Sequence, residues 1–167
     1  VPPATAPAQA VGNVLAVTES NRLVSFNDSA PQKVCTSAQI TGLQGNETVL
    51  GIDVRPATGD LVALGSTGRL YTIDPATGVA TPGPALVADP SDVTNPFTGL
   101  DGIEFGVDFN PVPDRLRVVS DTGQNLRINV DNGATITDGI IIPPGSSITA
   151  VAYTNSFAGA TSTPLYV

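Results

Sequence analysis

The apolar positions of this chain fall in short runs that alternate with polar positions, and turn-forming residues end each run. Between residues 51 and 81 this pattern predicts four strands, at 52–54, 61–64, 69–73 and from about residue 79. The segments between them contain X-Pro, Ser-Thr-Gly and Asp-Pro-Ala-Thr-Gly, which favour reversals of an extended chain. No apolar i, i+3, i+4 spacing longer than two turns avoids a Gly or a Pro. The pattern therefore predicts an all-β protein with almost no helix.

The same pattern occurs a second time along the chain. Residues 51–78 align with residues 106–133 without a gap, so that Gly51 corresponds to Gly106 and Asp53 to Asp108. Partial copies flank these two blocks. Residues 16–27 match residues 63–74 in register, residues 150–155 resemble a first strand, and residues 165–167 resemble the start of a second strand. Self-similarity of this kind indicates a repeat architecture.

Four short antiparallel strands with such turns form one blade of a β-propeller. We therefore expect β-propeller-like repeats of four-stranded antiparallel sheets near 51–81 and 106–137, with partial blades at both ends. These form one domain over residues 13–167, after a Pro/Ala-rich tether at residues 1–12. About three blades fit this length, whereas closed propellers have four to eight. A ring completed by further chain, an open propeller and a sandwich of sheets are all compatible with the sequence.

The composition argues against several classes of function. The net charge is −8 with only seven basic residues, which disfavours binding to nucleic acid. The longest apolar stretch, at 140–144, is too short to cross a membrane as a helix. The chain has one cysteine, Cys35, and no histidine, so a catalytic thiol would lack its usual base. We expect no cofactor. The opening VPPATAPAQA, read as the tether of a processed protein, and the low charge predict export to the periplasm, cell surface or medium.

At the repeated blocks the sequence resembles an uncharacterised bacterial family known only as domain of unknown function 4394. The features that carry the resemblance are Ile-Thr-Gly-Leu at 40–43, the blocks beginning at Gly51 and Gly106, Ala-Tyr-Thr-Asn at 152–155 and the closing residues 163–166. It extends over nearly the whole chain, from residue 13 to 167. The resemblance implies a secreted, propeller-like domain. It brings no activity, cofactor or catalytic residue with it.

The equivalent acidic residues Asp53 and Asp108 are the first candidate site. Equivalent first strands of a propeller converge, so these carboxylates and Glu104 would share a centre suited to glycoside hydrolysis or to calcium. In the other interpretation each aspartate caps backbone amides in its own turn. We favour this structural interpretation, because an aspartate that recurs together with its turn recurs with the geometry.

The second candidate is an interaction surface around the long connection between the two copies and the polar turn of the second copy. Arg115 and Arg117 lie on one strand face and would suit an anionic ligand, although pairing with the abundant aspartates is the favoured interpretation. Amides beside a tight turn can bind sugar hydroxyls, but hairpins prefer such residues anyway. The proposed surface comprises Pro84, Asp89, Asn95, Phe97, Arg115, Arg117, Gln124 and Asn125.

These observations favour a non-enzymatic exported module that binds another protein, as a scaffold or an accessory subunit of an envelope or membrane-anchored assembly. The main alternative is a carbohydrate-active enzyme that uses Asp53, Asp108 and Glu104. A third hypothesis is a calcium-stabilised, sugar-binding domain.

Overall fold

A computed structural model of the protein describes residues 10–141 and 148–167. The predicted tether lies mostly outside the described residues. Within the described part of the chain there are fourteen β-strands and no helix, as the apolar pattern predicted. The strands are β1 (Val14–Val17), β2 (Arg22–Asn27), β3 (Ala30–Gln39), β4 (Val49–Val54), β5 (Leu61–Gly65), β6 (Arg69–Ile73), β7 (Ala80–Ala85), β8 (Val87–Ala88), β9 (Phe105–Asn110), β10 (Arg115–Ser120), β11 (Asn125–Ile128), β12 (Ala134–Thr137), β13 (Ala152–Tyr153) and β14 (Leu165–Tyr166).

These strands form four sheets. The first has the order β1-β2-β3, the second β4-β5-β6-β7, the third β8-β12-β11-β10-β9 and the fourth β13-β14. Strands that follow one another along the chain within a sheet pair in antiparallel fashion. The fold is therefore all-β and is built from separate antiparallel meanders.

The two predicted copies fold into the same meander. In the second sheet Leu61 pairs with Ile73, and in the third sheet the equivalent Leu116 pairs with Ile128. The glycines that close the equivalent turns adopt positive φ in both copies: Gly68 and Gly123, at 74° and 88°, and Gly78 and Gly133, at 75° and 78°. Turn chemistry is thus repeated together with strand register.

The expectation of four strands per sheet is incomplete for the third sheet. Its fifth strand, β8, pairs with β12 in parallel, with Val87 opposite Ala134. A matching parallel bridge joins Thr41 to Val79 at the edge of the second sheet. In both places the chain leaves the last strand of one sheet and pairs with the last strand of the next. These parallel pairings therefore join the first sheet to the second and the second sheet to the third.

The second sheet is buried on both faces, which explains the continuous apolar run of β5. Leu61 and Ala63 pack with Leu23 of the first sheet, in a core that also contains Ile40 and Tyr71. Val62 and Leu64 point the other way, into a core shared with the third sheet and containing Phe109, Leu116, Leu126 and Ile128. Because successive residues of a strand point to opposite faces, β5 contributes alternate side chains to two separate cores.

The described residues contain no helix that is long and apolar enough to cross a bilayer. Cys35 is partly buried in β3 and forms no disulfide. Its thiol lies 3.5 Å from the side-chain amide of Asn27.

A buried carboxylate fixes the connection between the first and second sheets. Glu47 is 4% exposed. Its Oε1 accepts hydrogen bonds from the Thr67 amide at 3.0 Å and the Thr67 hydroxyl at 2.6 Å, and its Oε2 accepts one from the Tyr71 hydroxyl. Burial acts to raise the pKa of Glu47, but the hydrogen bonds from Thr67 and Tyr71 outweigh it and leave the pKa lowered. The ionised carboxylate is therefore the form that the fold stabilises.

Glu47→Ala is expected to lower the free energy of unfolding by about 2 kcal/mol or more, because it leaves a buried hydroxyl and an amide without their acceptor. Glu19→Ala removes an exposed glutamate of the first sheet and should change it by less than about 0.5 kcal/mol. Urea denaturation of both variants at pH 7 measures the difference. Equal effects of the two substitutions would contradict the anchoring role of Glu47.

Candidate functional site

The repeated Gly-x-Asp sequence places two functional positions on one face of each first strand, since residues i and i+2 of a strand point the same way. In β4 these positions are Gly51 and Asp53, and in β9 they are Gly106 and Asp108. A Cβ on Gly51 would lie 2.4 Å from Cγ2 of Val107, and one on Gly106 would lie 2.8 Å from Cα of Ala150. The glycines therefore allow each first strand to approach the next one closely.

The aspartates join the strands that the glycines bring together. Asp53 Oδ2 accepts a hydrogen bond from the backbone N–H of Phe109 at 2.7 Å, and Asp108 Oδ2 accepts one from the N–H of Tyr153 at 2.7 Å. In both cases the carboxylate of one sheet binds the amide of the first strand of the next sheet. The favoured interpretation placed these partners in the aspartate's own turn, whereas both amides lie on the first strand of the next sheet. Only Asp53 also accepts a bond locally, from the N–H of Val54 at 2.8 Å.

The two carboxyl groups also affect each other, a point that the repeat left open. Both side chains are half-buried, and each perturbs the pKa of the other. Burial raises the pKa of Asp53. Burial and the charge of Asp53 raise the pKa of Asp108 to about 6. Because neighbouring carboxylates repel each other, the pair retains one proton over the mildly acidic range.

The alternative glycosidase site used Asp53, Asp108 and Glu104 as its catalytic carboxyl groups. In Asp53 and Asp108, one carboxylate oxygen of each side chain accepts a backbone N–H of the next first strand. Glu104 is exposed and precedes β9, four residues before Asp108, which is about 13 Å along an extended chain. The structure thus brings Asp53 and Asp108 together and leaves Glu104 apart.

The arginines of the predicted surface are engaged in contacts within the protein. Arg117 donates to Asp138 Oδ2 at 2.7 Å and to Asn125 Oδ1 at 2.7 Å, and Arg127 shares the same Asp138. Arg115 donates to the carbonyl oxygens of Pro113 and Asp114. Arg117 therefore pairs with an aspartate, the interpretation that the sequence favoured. Arg115 instead donates to main-chain oxygens.

Arg55 forms a contact between sheets that the sequence did not reveal. Its guanidinium group donates to Asp114 at 2.9 Å and to Asp131 at 2.8 Å, and so ties the second sheet to two turns of the third. Asp114 has a φ of 52° at the position where the first copy has Gly59, with a φ of 80°. Aspartate is one of the few non-glycine residues that adopt this left-handed conformation comparatively often.

The long connection at residues 89–104 is held in place by hydrogen bonds at both ends. Near its start, Asp92 accepts from the amides of Thr137 and Asn95. Near its end, Asp121 Oδ1 accepts from the amides of Ile103 and Glu104, at 2.8 and 3.3 Å. The connection has no regular structure of its own, yet contacts with the third sheet fix its path.

Side chains of the following turn hold the middle of this connection. The Gln124 amide donates to the carbonyl of Gly99 at 2.8 Å and accepts from the N–H of Asp101 at 3.1 Å. The Thr122 hydroxyl donates to the Asp101 carbonyl at 3.0 Å. The connection and the turn line an open cleft of about 450 Å³. Its lining includes Asn95, Leu100, Asp101, Gln124, Asn125, Asp138 and Ile140.

Three residues of the predicted interaction surface, Asn95, Gln124 and Asn125, meet at this cleft. The others lie elsewhere or have internal roles. Phe97 is partly buried against the core between the second and third sheets, and Pro84 is partly buried in β7. Asp89 accepts hydrogen bonds from the amide and hydroxyl of Ser91. The predicted set is therefore only partly one surface.

Several important contacts went unnoticed in the sequence. Glu47 and Asp138 are single carboxylates in loops, and no motif distinguishes them from exposed ones. The described residues contain no group of three or more His, Cys, Asp or Glu side chains arranged to hold a metal ion.

The fold and the site together define an all-β repeat protein whose sheets are joined through acidic side chains on their first strands. Residues 22–167 match the family described as a domain of unknown function, DUF4394, and the chain belongs to this family. The match includes both Gly-x-Asp strands. Comparisons with curated proteins and with solved structures gave no match.

The close approach of the first strands can be tested at Gly106. Gly106→Ala is expected to lower the free energy of unfolding by about 1–3 kcal/mol, because its Cβ would meet the backbone of Ala150 and Val151 at 2.8 Å. Gly45→Ala is the control, because a Cβ there meets no atom within 4 Å. Thermal unfolding of the two variants measures the effect. An unchanged Gly106→Ala protein would contradict the packing described here.

The shared proton can be tested with Asp108→Asn. An Asn oxygen still accepts from Tyr153, and the substitution removes a partly buried charge beside Asp53, so the variant should be more stable than the parent by on the order of 1 kcal/mol at pH 7.5. The raised pKa of Asp108 means that the folded parent binds more protons than the unfolded chain. Stability of the parent should therefore fall as the pH rises from about 4 through 6, and this slope should decrease in the variant.

Urea titrations between pH 4 and 8 measure both quantities for Asp108→Asn. Asp60→Asn provides a matched control at an exposed aspartate. Parallel curves for Asp108→Asn and the parent would contradict proton sharing by Asp53 and Asp108.

Proposed function

We propose that this protein is an exported, propeller-type module that binds another protein and does not catalyse a reaction. Its binding surface in this proposal is the connection at residues 89–104. One observation carries the proposal: an ordered connection holds large apolar side chains in solvent. The low charge of the chain and the implication of the family resemblance support export.

The order of the sheets supports the propeller arrangement. The first strands β4, β9 and β13 are neighbours, since β4 contacts β9 and β9 contacts β13. The later strands of each complete sheet follow outward from its first strand in chain order. The first and second sheets share one hydrophobic core, and the second and third sheets share another. Neighbouring first strands and sheets that share cores are features expected of propeller blades, and they support the proposed propeller arrangement.

The connection combines order with exposed apolar surface. Val93 is 84% exposed and Ile103 is 82% exposed. Burying such a side chain against a partner contributes roughly 1.5–3 kcal/mol. Because Asp92, Asp121 and Gln124 already fix the backbone, little conformational entropy is lost when a partner binds. Rigid loops with exposed apolar side chains are suited to recognition.

The charges of the connection indicate the chemistry of the partner. Residues 89–104 contain four acidic residues, Asp89, Asp92, Asp101 and Glu104, and no basic one. A partner surface with apolar pockets and a basic rim would complement it. The cleft suits a sugar less well, because the Gln124 and Asn125 amides already use both their oxygen and their nitrogen atoms within the protein.

The polar groups that could form an active site serve the architecture instead. Asp53 and Asp108 bind the amides of neighbouring strands, and Arg55, Arg117 and Arg127 pair with aspartates. These contacts support a binding module over a carboxylate-dependent hydrolase.

Site-specific photocrosslinking in the cells that produce the protein tests this surface. A photoreactive residue at position 93 or 103 is expected to capture the same partner protein. The same group at Val34, a 52% exposed valine on β3, is the matched control and should not capture it. Capture at position 34 alone, or none at 93 and 103, would refute the proposed surface.

Affinity provides the second measurement. The double substitution Val93→Ser and Ile103→Ser should weaken binding of the captured partner at least tenfold, because two apolar side chains lose their buried contacts. Val34→Ser should leave the affinity within about twofold of the parent. Surface plasmon resonance with the purified partner gives both values.

A further inference from the structure

A groove opens where the first strands of the second and third sheets begin. Residues 48–50 and 103–105, which are equivalent in the repeat, both line it. The turn between β1 and β2 also lines it, through residues 17–19. Its volume of about 430 Å³ lies within the range of about 300–1,000 Å³ that ligand-binding clefts occupy. Three segments that are distant in the chain therefore converge on one space.

The lining of the groove divides into a partly buried part and an exposed rim, and the partly buried part is apolar. Val17 and Val49 pack against the core between the first and second sheets. Leu50 and Phe105 pack against the core between the second and third sheets. Ile103 belongs to the rim and is 82% exposed. A long side chain that enters the groove would bury its aliphatic part against these residues.

The rim of the groove carries two carboxylates. Glu19 and Glu104 both line the groove, and both are exposed. Among the described residues no basic side chain lines it, and the ion pairs there all use aspartates. Arg22, the basic residue nearest to Glu19 in the sequence, donates to the Ser37 hydroxyl on β3 at 3.2 Å. The groove therefore has a negative rim that the described part of the chain does not neutralise.

Hydrogen bonds of the backbone fix the positions of both residues that carry these carboxylates. The N–H of Glu104 donates to Asp121 Oδ1 at 3.3 Å, and its carbonyl accepts from the N–H of Asp121 at 3.1 Å. Thr18 closes the turn that contains Glu19, because its hydroxyl accepts from the N–H of Arg22 at 3.1 Å. Neither carboxylate takes part in these contacts, so both are available to a ligand.

Asn21 attaches one wall of the groove to the next. Its side-chain nitrogen donates to the carbonyl of Glu47 at 2.8 Å, and its side-chain oxygen accepts from the N–H of Val49 at 2.9 Å. The turn of the first sheet is thereby joined to the segment that leads into β4. A ligand thus meets a groove that is already formed, which lowers the entropy cost of binding.

We propose that this groove binds an arginine side chain of the partner protein, with aliphatic residues on either side of that arginine. The arginine stem lies against the apolar lining, and its guanidinium group donates to the carboxylates of Glu19 and Glu104. The flanking aliphatic side chains contact Ile103. The inference rests on the proposed function, because Ile103 and Glu104 belong to the connection at residues 89–104, and it adds the chemistry by which the partner is recognised.

The chemistry of the groove favours arginine over other cations. Calcium takes about six to eight oxygen ligands, and the apolar lining supplies no side-chain oxygen. The ammonium group of a lysine is a strongly hydrated point charge, whereas a guanidinium group is more weakly hydrated and presents its donors in a planar fork. An arginine can therefore bind carboxylates at the rim while its stem stays on the apolar lining.

The peptide acetyl-Leu-Arg-Leu-amide is the probe for this site. Added at millimolar concentration to the 167-residue protein, it is expected to shift the NMR amide signals of Ile103 and Glu104 and of the turn at residues 18–21. The same peptide with citrulline in place of arginine keeps the shape of the side chain and loses its charge. It should bind at least about threefold more weakly, because two charge-assisted contacts at an exposed rim are lost.

Variants of the protein test the two carboxylates. Glu19→Gln combined with Glu104→Gln should lower the affinity for the arginine peptide at least about threefold and remove its advantage over the citrulline peptide. Asp28→Asn combined with Asp60→Asn is the matched control. It changes the net charge by the same amount at two exposed aspartates outside the groove, and it should keep the preference for arginine.

Three results would overturn the arginine site: no shift of the Ile103 and Glu104 signals at millimolar peptide, equal binding of the citrulline peptide, or an unchanged preference in the Glu19→Gln, Glu104→Gln protein. Photocrosslinking separates this inference from the proposed function. A partner that is captured at positions 93 and 103 but binds the Glu19→Gln, Glu104→Gln protein as tightly as the parent would leave the proposed function standing and refute the arginine site. Selective binding of the arginine peptide without any captured partner would support the site and refute the proposed function.

Discussion

The contact on which the structure depends is the approach of each first strand to the next one along the chain. Gly51 and Gly106 remove the side chains that would keep those strands apart, and Asp53 and Asp108 bind the amides that then face them. A buried amide without an acceptor is costly, so the spacing and the carboxylate are needed together. Because both residues lie on the same face of one strand, three positions of sequence specify the contact between two sheets.

This constraint also explains why most of the charged side chains described above bind other parts of the protein. The carboxylates that would be the first candidates for catalysis hold strands together, and the Arg55 and Arg117 guanidinium groups join sheets or turns. The described surface includes the connection at residues 89–104, with the exposed side chains of Val93 and Ile103. This arrangement supports the proposal that the protein is a binding module.

The sequence predicted the parts of the fold that repeat. The strand expected at 69–73 is β6, and the alignment of 16–27 with 63–74 corresponds to a shared register. The repeat showed that Asp53 and Asp108 are equivalent but left open whether they share a site. Their hydrogen-bond partners could not be predicted, because a backbone amide leaves no mark in a sequence. The sequence also did not predict strand β8 or the anchoring role of Glu47. β8 has only two residues, and Glu47 is a single carboxylate, so neither forms a recognisable sequence pattern.

Amide hydrogen exchange at Phe109 and Tyr153 tests the central claim most directly. These two amides are expected to exchange only through global unfolding, at rates close to those of core amides such as Leu126, because carboxylates of the preceding strands hold them. In the Asp53→Ala protein the Phe109 amide should exchange much faster while Tyr153 stays protected. Rapid exchange of both amides in the parent protein would show that the first strands are not joined in this way.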